Sequence, residues 1–276
     1  MNTSALVRFR PRTLFVLAIT SAVSAFGFIW PFLINAKSIP MASMLFWTAS
    51  AFAVLLVIIE ISNESLDAKS IALLGVLTAI VAALRPLGAG AVGIEPMWFV
   101  LILSARVFGS SFGFILGLTS ILASALLTGG IGPWLGYQLF AAGWIGLFAG
   151  WLPKKLRGKP ELFLLVLYAI AASIIFGLLM DLQFWPWALG LQTQLSYIPN
   201  GDLLTNLHRF IIFHFATSMA WDIPRAIFTS ALILLSAPAI LGALRRTKFR
   251  AAFVTPIEFV ESKKVAIERA KELKAL

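Results

Sequence analysis

Six ionisable side chains lie within or beside long apolar stretches of this sequence, where an unpaired charge is costly. Such charges usually pair with one another or line a polar cavity. Asp222 and Arg225 are three residues apart around Pro224, which is close enough for an ion pair on one helix face. We therefore expect a structural ion pair there, and either a wider ion-pair frame or a solute pocket elsewhere. The six residues are Arg85, Glu95, Arg106, Asp181, Asp222 and Arg225.

The side chains near one end of the apolar stretches suit a small-molecule pocket. A guanidinium can donate to carboxylate, phosphate or amide oxygens. Carboxylates can accept from amides or hydroxyls, a carboxamide can do both, and aromatic rings offer stacking faces. On these grounds we predict substrate binding by Arg85, Glu95, Trp134, Tyr137, Gln138, Asp181 and Trp185.

Motifs that carry enzymatic chemistry are missing from the sequence. His208 and His214 are six residues apart, the wrong spacing for one helix face, and no carboxylate completes a metal-ligand pattern with them. The sequence has no zinc-protease, nucleophile-elbow or phosphate-loop motif. We therefore expect no catalytic residues, no metal and no cofactor. Any ATP hydrolysis must occur in a partner protein.

The elements that must position these residues are apolar stretches long enough to cross a bilayer. The chain is 60% hydrophobic and 12% charged, and the runs lack the alternation of barrel strands. The sequence predicts an all-α integral membrane protein with about eight transmembrane helices. A signal peptide is the alternative for the first stretch, although bulky residues near its end favour a helix. The stretches are 13–35, 40–61, 68–87, 97–107, 112–128, 134–152, 161–182 and 225–244.

Basic residues predict the topology. The net charge is +10, and three basic clusters lie at 8–12, 154–159 and 245–250. The positive-inside rule places all three in the cytoplasm, where they should contact anionic lipid headgroups rather than nucleic acid. Eight crossings then leave both termini cytoplasmic and place the loops 88–95, 129–136 and 183–209 outside. Because the chain has no cysteine, disulfides and thiol chemistry are excluded.

Small residues at helical spacing form strips on three of the stretches, and such strips let helices approach closely. We expect the strips of the fifth and sixth stretches to pack within the bundle. For the third stretch, internal packing and docking of another membrane protein stay open, and docking would use Gly75, Ala79 and Ala83. The three strips are Ala68, Ala72, Gly75, Ala79 and Ala83, then Gly109, Gly113 and Gly117, and finally Ala142, Gly146 and Gly150.

Several motifs between residues 68 and 250 point to one family. They are the AxxxA pair Ala79 and Ala83, the turn RVFGSSFG at 106–113, the GPW-x-x-x-Q pattern at 132–138, and the ending WDIPRA…LRR at 221–246. With these features the sequence resembles the substrate-binding S components of energy-coupling factor (ECF) vitamin transporters.

The resemblance implies a six-helix substrate-binding core at 68–250, preceded by a two-helix extension at 1–67 and followed by a cytoplasmic tail at 251–276. An S component binds a vitamin outside a bacterial-type cell membrane. It delivers the vitamin together with a coupling membrane protein and two cytoplasmic ATPases. The longer chain is similar to the cobalamin-type subgroup, which favours a cobalamin-like substrate. The alternative is a self-contained ion-coupled transporter or channel that uses Asp181, Asp222 and Arg225.

Overall fold

The structure is a computed structural model that describes residues 11–33, 44, 47–48, 50–52, 54–55, 58, 68–88, 92–188 and 193–252. Within these ranges the regular elements are helices. They are α1 (Pro11–Leu33), α2 (Ala68–Leu84), α3 (Met97–Phe108), α4 (Ser110–Thr128), α5 (Leu135–Trp151), α6 (Lys159–Ala188), α7 (Leu203–Thr217) and α8 (Met219–Ala252), with a 3-10 turn at Pro86–Gly88 after α2.

Five of these helices, α1, α2, α4, α6 and α8, are long and apolar enough to cross a membrane. Since backbone polar groups in lipid must be paired within their own segment, such helices are the expected solution for continuous apolar runs. Among the described residues the all-α prediction is confirmed, and these five helices support a multi-pass membrane protein, while the count of about eight transmembrane helices stays a prediction. The predicted second stretch, 40–61, lies mostly outside the described residues.

The connection after α6 contains a helix that the sequence analysis missed. The sequence predicts an external loop at 183–209, but α6 extends to residue 188 and α7 begins at residue 203. The carboxylate of Asp202 accepts from the Thr205 backbone N–H at 3.1 Å, which caps the first turn of α7. With α7, the described part of 68–252 holds seven α-helices, one more than the six membrane-spanning helices expected there. Helix α7 has 15 residues, and several of them are polar. It is therefore too short and too polar for its hydropathy to indicate a membrane-spanning helix.

Short helix α3 lies at the centre of the bundle. All of its residues except Phe99 are buried, and it contacts α2, α4, α5, α6 and α8. At 1.5 Å per residue it is about 18 Å long, which is less than the ~30 Å of a bilayer's hydrocarbon core. Its neighbours rather than lipid therefore surround most of it.

Helices α4 and α5 form the most extensive helix pair. Gly113 lies against Gly146, and Gly117 lies against Ala142, so closely that an added Cβ would collide with the partner backbone. Small side chains are what permits two helix backbones to approach in this way. The prediction that these two strips pack within the bundle is confirmed.

Replacing Gly146 with alanine is expected to destabilise the protein by about 1–3 kcal/mol, because the new methyl group overlaps the Gly113 backbone. Thermal unfolding in detergent, followed by tryptophan fluorescence, measures the change. Gly75→Ala is the matched control, since a Cβ at Gly75 meets nothing within 4 Å and alanine favours a helix. Equal unfolding temperatures for the two variants would contradict a close α4–α5 contact.

Helix α1 packs on the core through aromatic rings. Phe28 lies edge-on to Tyr137 with ring centroids 4.9 Å apart, and Phe32 stacks on Trp185 at 5.8 Å. Trp30, also buried, contacts the Tyr197 ring at 5.9 Å. Aromatic pairs at these separations contribute beyond their buried area. The amino-terminal helix is thus joined to the core by specific ring contacts.

Candidate ligand-binding site

Four of the predicted binding residues meet around one cavity of about 340 Å³, here called the Arg85 cavity. Arg85 follows α2, Glu95 precedes α3, Trp134 precedes α5, and Gln138 lies in the first turn of α5. Helices α4, α6 and α8 complete the wall. The remaining lining residues are Pro86, Gly88, Met97, Trp98, Ile121, Ser124, Thr128, Gly130, Phe176 and Trp221.

The Arg85 guanidinium and the Gln138 carboxamide hold each other in the cavity wall. Arg85 Nη2 donates to Gln138 Oε1 at 2.7 Å. Because a guanidinium has donors and no acceptor, the amide oxygen must face Arg85. The amide NH₂ group of Gln138 is therefore turned away from the guanidinium, and it can donate elsewhere.

Arg225 connects two carboxylates that are far apart in the sequence. Its Nη1 lies 2.6 Å from Asp222 Oδ1, and its Nε lies 3.1 Å from Glu95 Oε2. The predicted Asp222–Arg225 ion pair is confirmed, and Glu95 extends it. The indole N–H of Trp98 also donates to Glu95. With Asp222 fully buried, pairing is what makes these charges tolerable in a dry interior.

Asp181 lies in a second cavity of about 370 Å³, here called the Asp181 cavity. Its Oδ2 is 2.9 Å from His214 Nδ1. Asp222 and Arg225 also line this cavity, and Trp221 lines both cavities. Asp181 therefore neighbours the Arg85 cavity but does not line it.

Close packing of α6 on α8 brings the Asp222 carboxylate to the Asp181 cavity. A Cβ at Gly177 would collide with both carboxylate oxygens of Asp222. Ser218 donates its hydroxyl to the same carboxylate at 2.9 Å. No sequence pattern indicates these roles of Gly177 and Ser218. The pairing of His214 with Asp181 depends on how α6 meets α7. No local pattern in the sequence therefore indicates it.

Two predicted binding residues are not brought to either cavity. Trp185 is buried, and its indole N–H donates to the Leu195 carbonyl at 2.7 Å. Tyr137 is buried against Phe28 of α1. Both rings pack between helices, and neither ring lines the Arg85 cavity or the Asp181 cavity. Their positions near helix ends do not distinguish these two roles in a sequence.

A separate ion cluster lies at the other end of α3. The buried carboxylate of Glu161 is 2.8 Å from Arg106 Nε and 2.6 Å from Arg245 Nη2. Arg106 also donates to three backbone carbonyls in the α5–α6 connection, those of Leu152, Pro153 and Leu156. Its donors are therefore satisfied, so this cluster is structural. Arg106 is among the ionisable residues expected to be paired, whereas Glu161 is not predicted from the sequence.

The small-residue strip of α2 faces away from the bundle. Gly75, Ala79 and Ala83 are exposed, as are Ala68 and Ala72, whereas Leu77 and Val81 form the buried face. The strip therefore differs from those of α4 and α5, which are buried in the interface between these two helices. It leaves a flat surface along the outside of α2.

Comparison with protein-family models, with curated proteins and with solved structures gives no match. Function is therefore inferred from the residues and geometry of the chain itself.

Proposed function

We propose that this chain is the substrate-binding S component of an ECF-type importer. The observation that carries the proposal is the Arg85 cavity, where Arg85, Glu95, Trp134 and Gln138 converge from three segments of the chain at one end of the bundle. A concave site with aromatic walls and a few convergent polar groups is typical of small-molecule binding. Two of these residues, Trp134 and Gln138, belong to the GPW-x-x-x-Q pattern on which the family resemblance depends.

The proposed partners are a coupling membrane protein and two cytoplasmic ATPases. The chain itself has no phosphate-binding loop, so the energy for uptake would come from the ATPases and the chain would not be an enzyme. The exposed strip around Gly75, Ala79 and Ala83 supports docking of the coupling protein, because flat strips permit close helix approach.

In this proposal the chain crosses the membrane eight times, counting the stretch 40–61 and short α3. Both termini and the basic cluster at 154–159 lie in the cytoplasm, against anionic headgroups. The Arg85 cavity then opens outside, where an importer must collect its substrate. Its volume of about 340 Å³ is near the lower end of ligand pockets, about 300–1,000 Å³. A compact vitamin-like solute is therefore favoured over a cobalamin-sized one.

Cysteine labelling tests this orientation, and the natural absence of cysteine removes any background. A membrane-impermeant maleimide applied to intact cells should modify Trp134→Cys and spare Lys155→Cys, although both positions are exposed. After the cells are opened, both variants should react. Labelling of position 155 in intact cells would refute the eight-crossing topology.

The function itself is tested by uptake in cells that also carry the coupling protein and the ATPases. Radiolabelled solute should accumulate only when the ATPases hydrolyse ATP, whereas the purified chain should bind the same solute without them. Inactivating the ATP site of the partner ATPases is expected to abolish uptake and leave binding intact. Uptake that persists without ATP hydrolysis would refute the S-component proposal.

The second candidate function is an ion-coupled transporter, and the Asp181 cavity is the observation that favours it. Asp181, His214, Asp222 and Arg225 form neighbouring polar pairs within a membrane-spanning bundle, where ionisable groups often serve ion pathways. A transporter of this kind would lose uptake when a protonophore or sodium ionophore collapses the gradient. It would not require the ATPases.

A further inference from the structure

The carboxylate and the carboxamide of the Arg85 cavity already accept from protein donors. Glu95 accepts from the Trp98 indole and from Arg225 Nε and Nη2. The carboxamide oxygen of Gln138 accepts from Arg85. Sequence reasoning left both residues free to accept from a ligand. In the folded chain, neither offers its acceptor freely to a molecule in the cavity.

Donors in the same cavity remain unused. Arg85 makes one side-chain hydrogen bond, to Gln138, and within the described part of the chain no carboxylate oxygen lies within 4.0 Å of its guanidinium. The NH₂ group of Gln138 is turned away from Arg85. Ser124, on α4, lines the cavity and is fully buried, and its hydroxyl has no hydrogen-bond partner.

A buried hydroxyl without a partner costs free energy. Ser120, one turn earlier on α4, is another such hydroxyl, but Ser124 is the one that lines the Arg85 cavity, where a ligand would supply the missing acceptor. The Arg85 guanidinium lines the same cavity and makes no salt bridge with a described carboxylate, so it favours the same kind of group. These two observations are independent, since Arg85 follows α2, Ser124 lies on α4, and no hydrogen bond joins the two side chains. Together they indicate that the cavity is complementary to an acceptor-rich, negatively charged group.

We propose that the Arg85 cavity binds a compact ligand with one carboxylate, held by Arg85, Gln138 and Ser124. The proposal rests on the proposed function in taking this cavity as the substrate site. A carboxylate has two acceptor oxygens and one negative charge, which match the free donors of the cavity and the Arg85 guanidinium, which makes no salt bridge with a described residue. Trp98 and Phe176 lie with ring centroids 4.5 Å apart and, with Trp134 and Trp221, give the ligand's planar or apolar body aromatic walls.

The choice of a carboxylate excludes two other ligand types. A cationic ligand would face the like charge of Arg85 and find Glu95 already paired. A neutral amide would satisfy fewer donors and would not form a charge-assisted pair with the guanidinium. Selectivity for carboxylate over amide is therefore the property that distinguishes this assignment from a purely structural role for the same residues.

The experiment is isothermal titration of the purified full chain, in detergent, with three probes that share one ring system. They are 2-naphthoate, 2-naphthamide and 2-naphthylmethylammonium. We expect 2-naphthoate to bind at least about tenfold more tightly than the amide, the scale of one charge-assisted hydrogen bond. We expect the cation to bind more weakly still. Amide or cation binding as tight as that of the carboxylate, or no carboxylate binding at millimolar concentration, would overturn the proposal.

Variants then assign the preference to residues. Arg85→Gln should bring the carboxylate and amide affinities within about twofold of each other, and Arg85→Lys should keep part of the preference, because the charge remains. Ser124→Ala should weaken carboxylate binding by about tenfold. Ser120→Ala is its matched control, since Ser120 is one turn earlier on α4, equally buried and also without a partner, but does not line the cavity. Equal losses in the two serine variants would overturn the role of Ser124.

Failure of this assignment and failure of the proposed function are distinguishable. Carboxylate selectivity that depends on Arg85, in a chain whose uptake needs no ATPase, supports the ligand chemistry and refutes the S-component function. ATPase-driven uptake of a solute, with no carboxylate preference in the purified chain, refutes the ligand chemistry and supports the function.

Discussion

Replacing Ala79 or Ala83 with tryptophan is expected to abolish solute uptake in cells while the purified chain still binds its solute. Both alanines are exposed on the outer face of α2, and the buried face, with Leu77 and Val81, is untouched by the change. The indole would occupy the space that a partner helix needs for close approach. Folding and the Arg85 cavity should therefore survive, and only assembly with the coupling protein should fail.

The measurement compares uptake in cells with equilibrium binding to the purified variants. Ala171→Trp is the matched control, because Ala171 is an exposed alanine on another long apolar helix, α6, away from the strip. It should transport normally. If Ala79→Trp and Ala83→Trp also transport normally, the strip of α2 is ordinary lipid-facing surface and the docking proposal is wrong.

The features of this fold that a sequence can predict are those set by one segment. Apolar runs of bilayer length predicted most helices to within a few residues, because backbone groups in lipid leave no alternative to a helix. Glycine spacing predicted that Gly113 and Gly146 serve close packing. The three-residue spacing of Asp222 and Arg225 predicted their ion pair, since such neighbours share a helix face.

The features that could not be predicted depend on which segments meet. Glu95 and Arg225 are 130 residues apart, and nothing local in either segment indicates the other. The same holds for His214 with Asp181 and for Glu161 with its arginines. Trp185 has the composition of a binding or interface residue, but contact with Phe32 of α1 makes it a packing residue. Such a role depends on the tertiary position of α1.

Arg225→Gln is expected to cost about 3–5 kcal/mol of stability, the scale for removing one partner of a buried ion pair. The substitution leaves the fully buried Asp222 and its neighbour Glu95 without the guanidinium that joins them. Arg225→Lys should cost less, since an ammonium keeps the charge but lacks the planar fork that reaches both carboxylates. Denaturant titration in detergent, followed by tryptophan fluorescence, measures the free energy of unfolding.

The double variant Asp222→Asn with Arg225→Gln decides whether the loss comes from the pair itself. Removing both charges leaves no stranded carboxylate at position 222, so the double loss should be smaller than the sum of the single losses by about 1–3 kcal/mol. Arg246 is an exposed arginine on the same helix, and Arg246→Gln should change stability by less than about 0.5 kcal/mol.

Strictly additive losses would mean that Asp222 and Arg225 stabilise the bundle independently. The Glu95–Arg225 contact would then be the one that holds α3 to α8, and Glu95→Gln should show the coupling with Arg225→Gln that Asp222→Asn lacks.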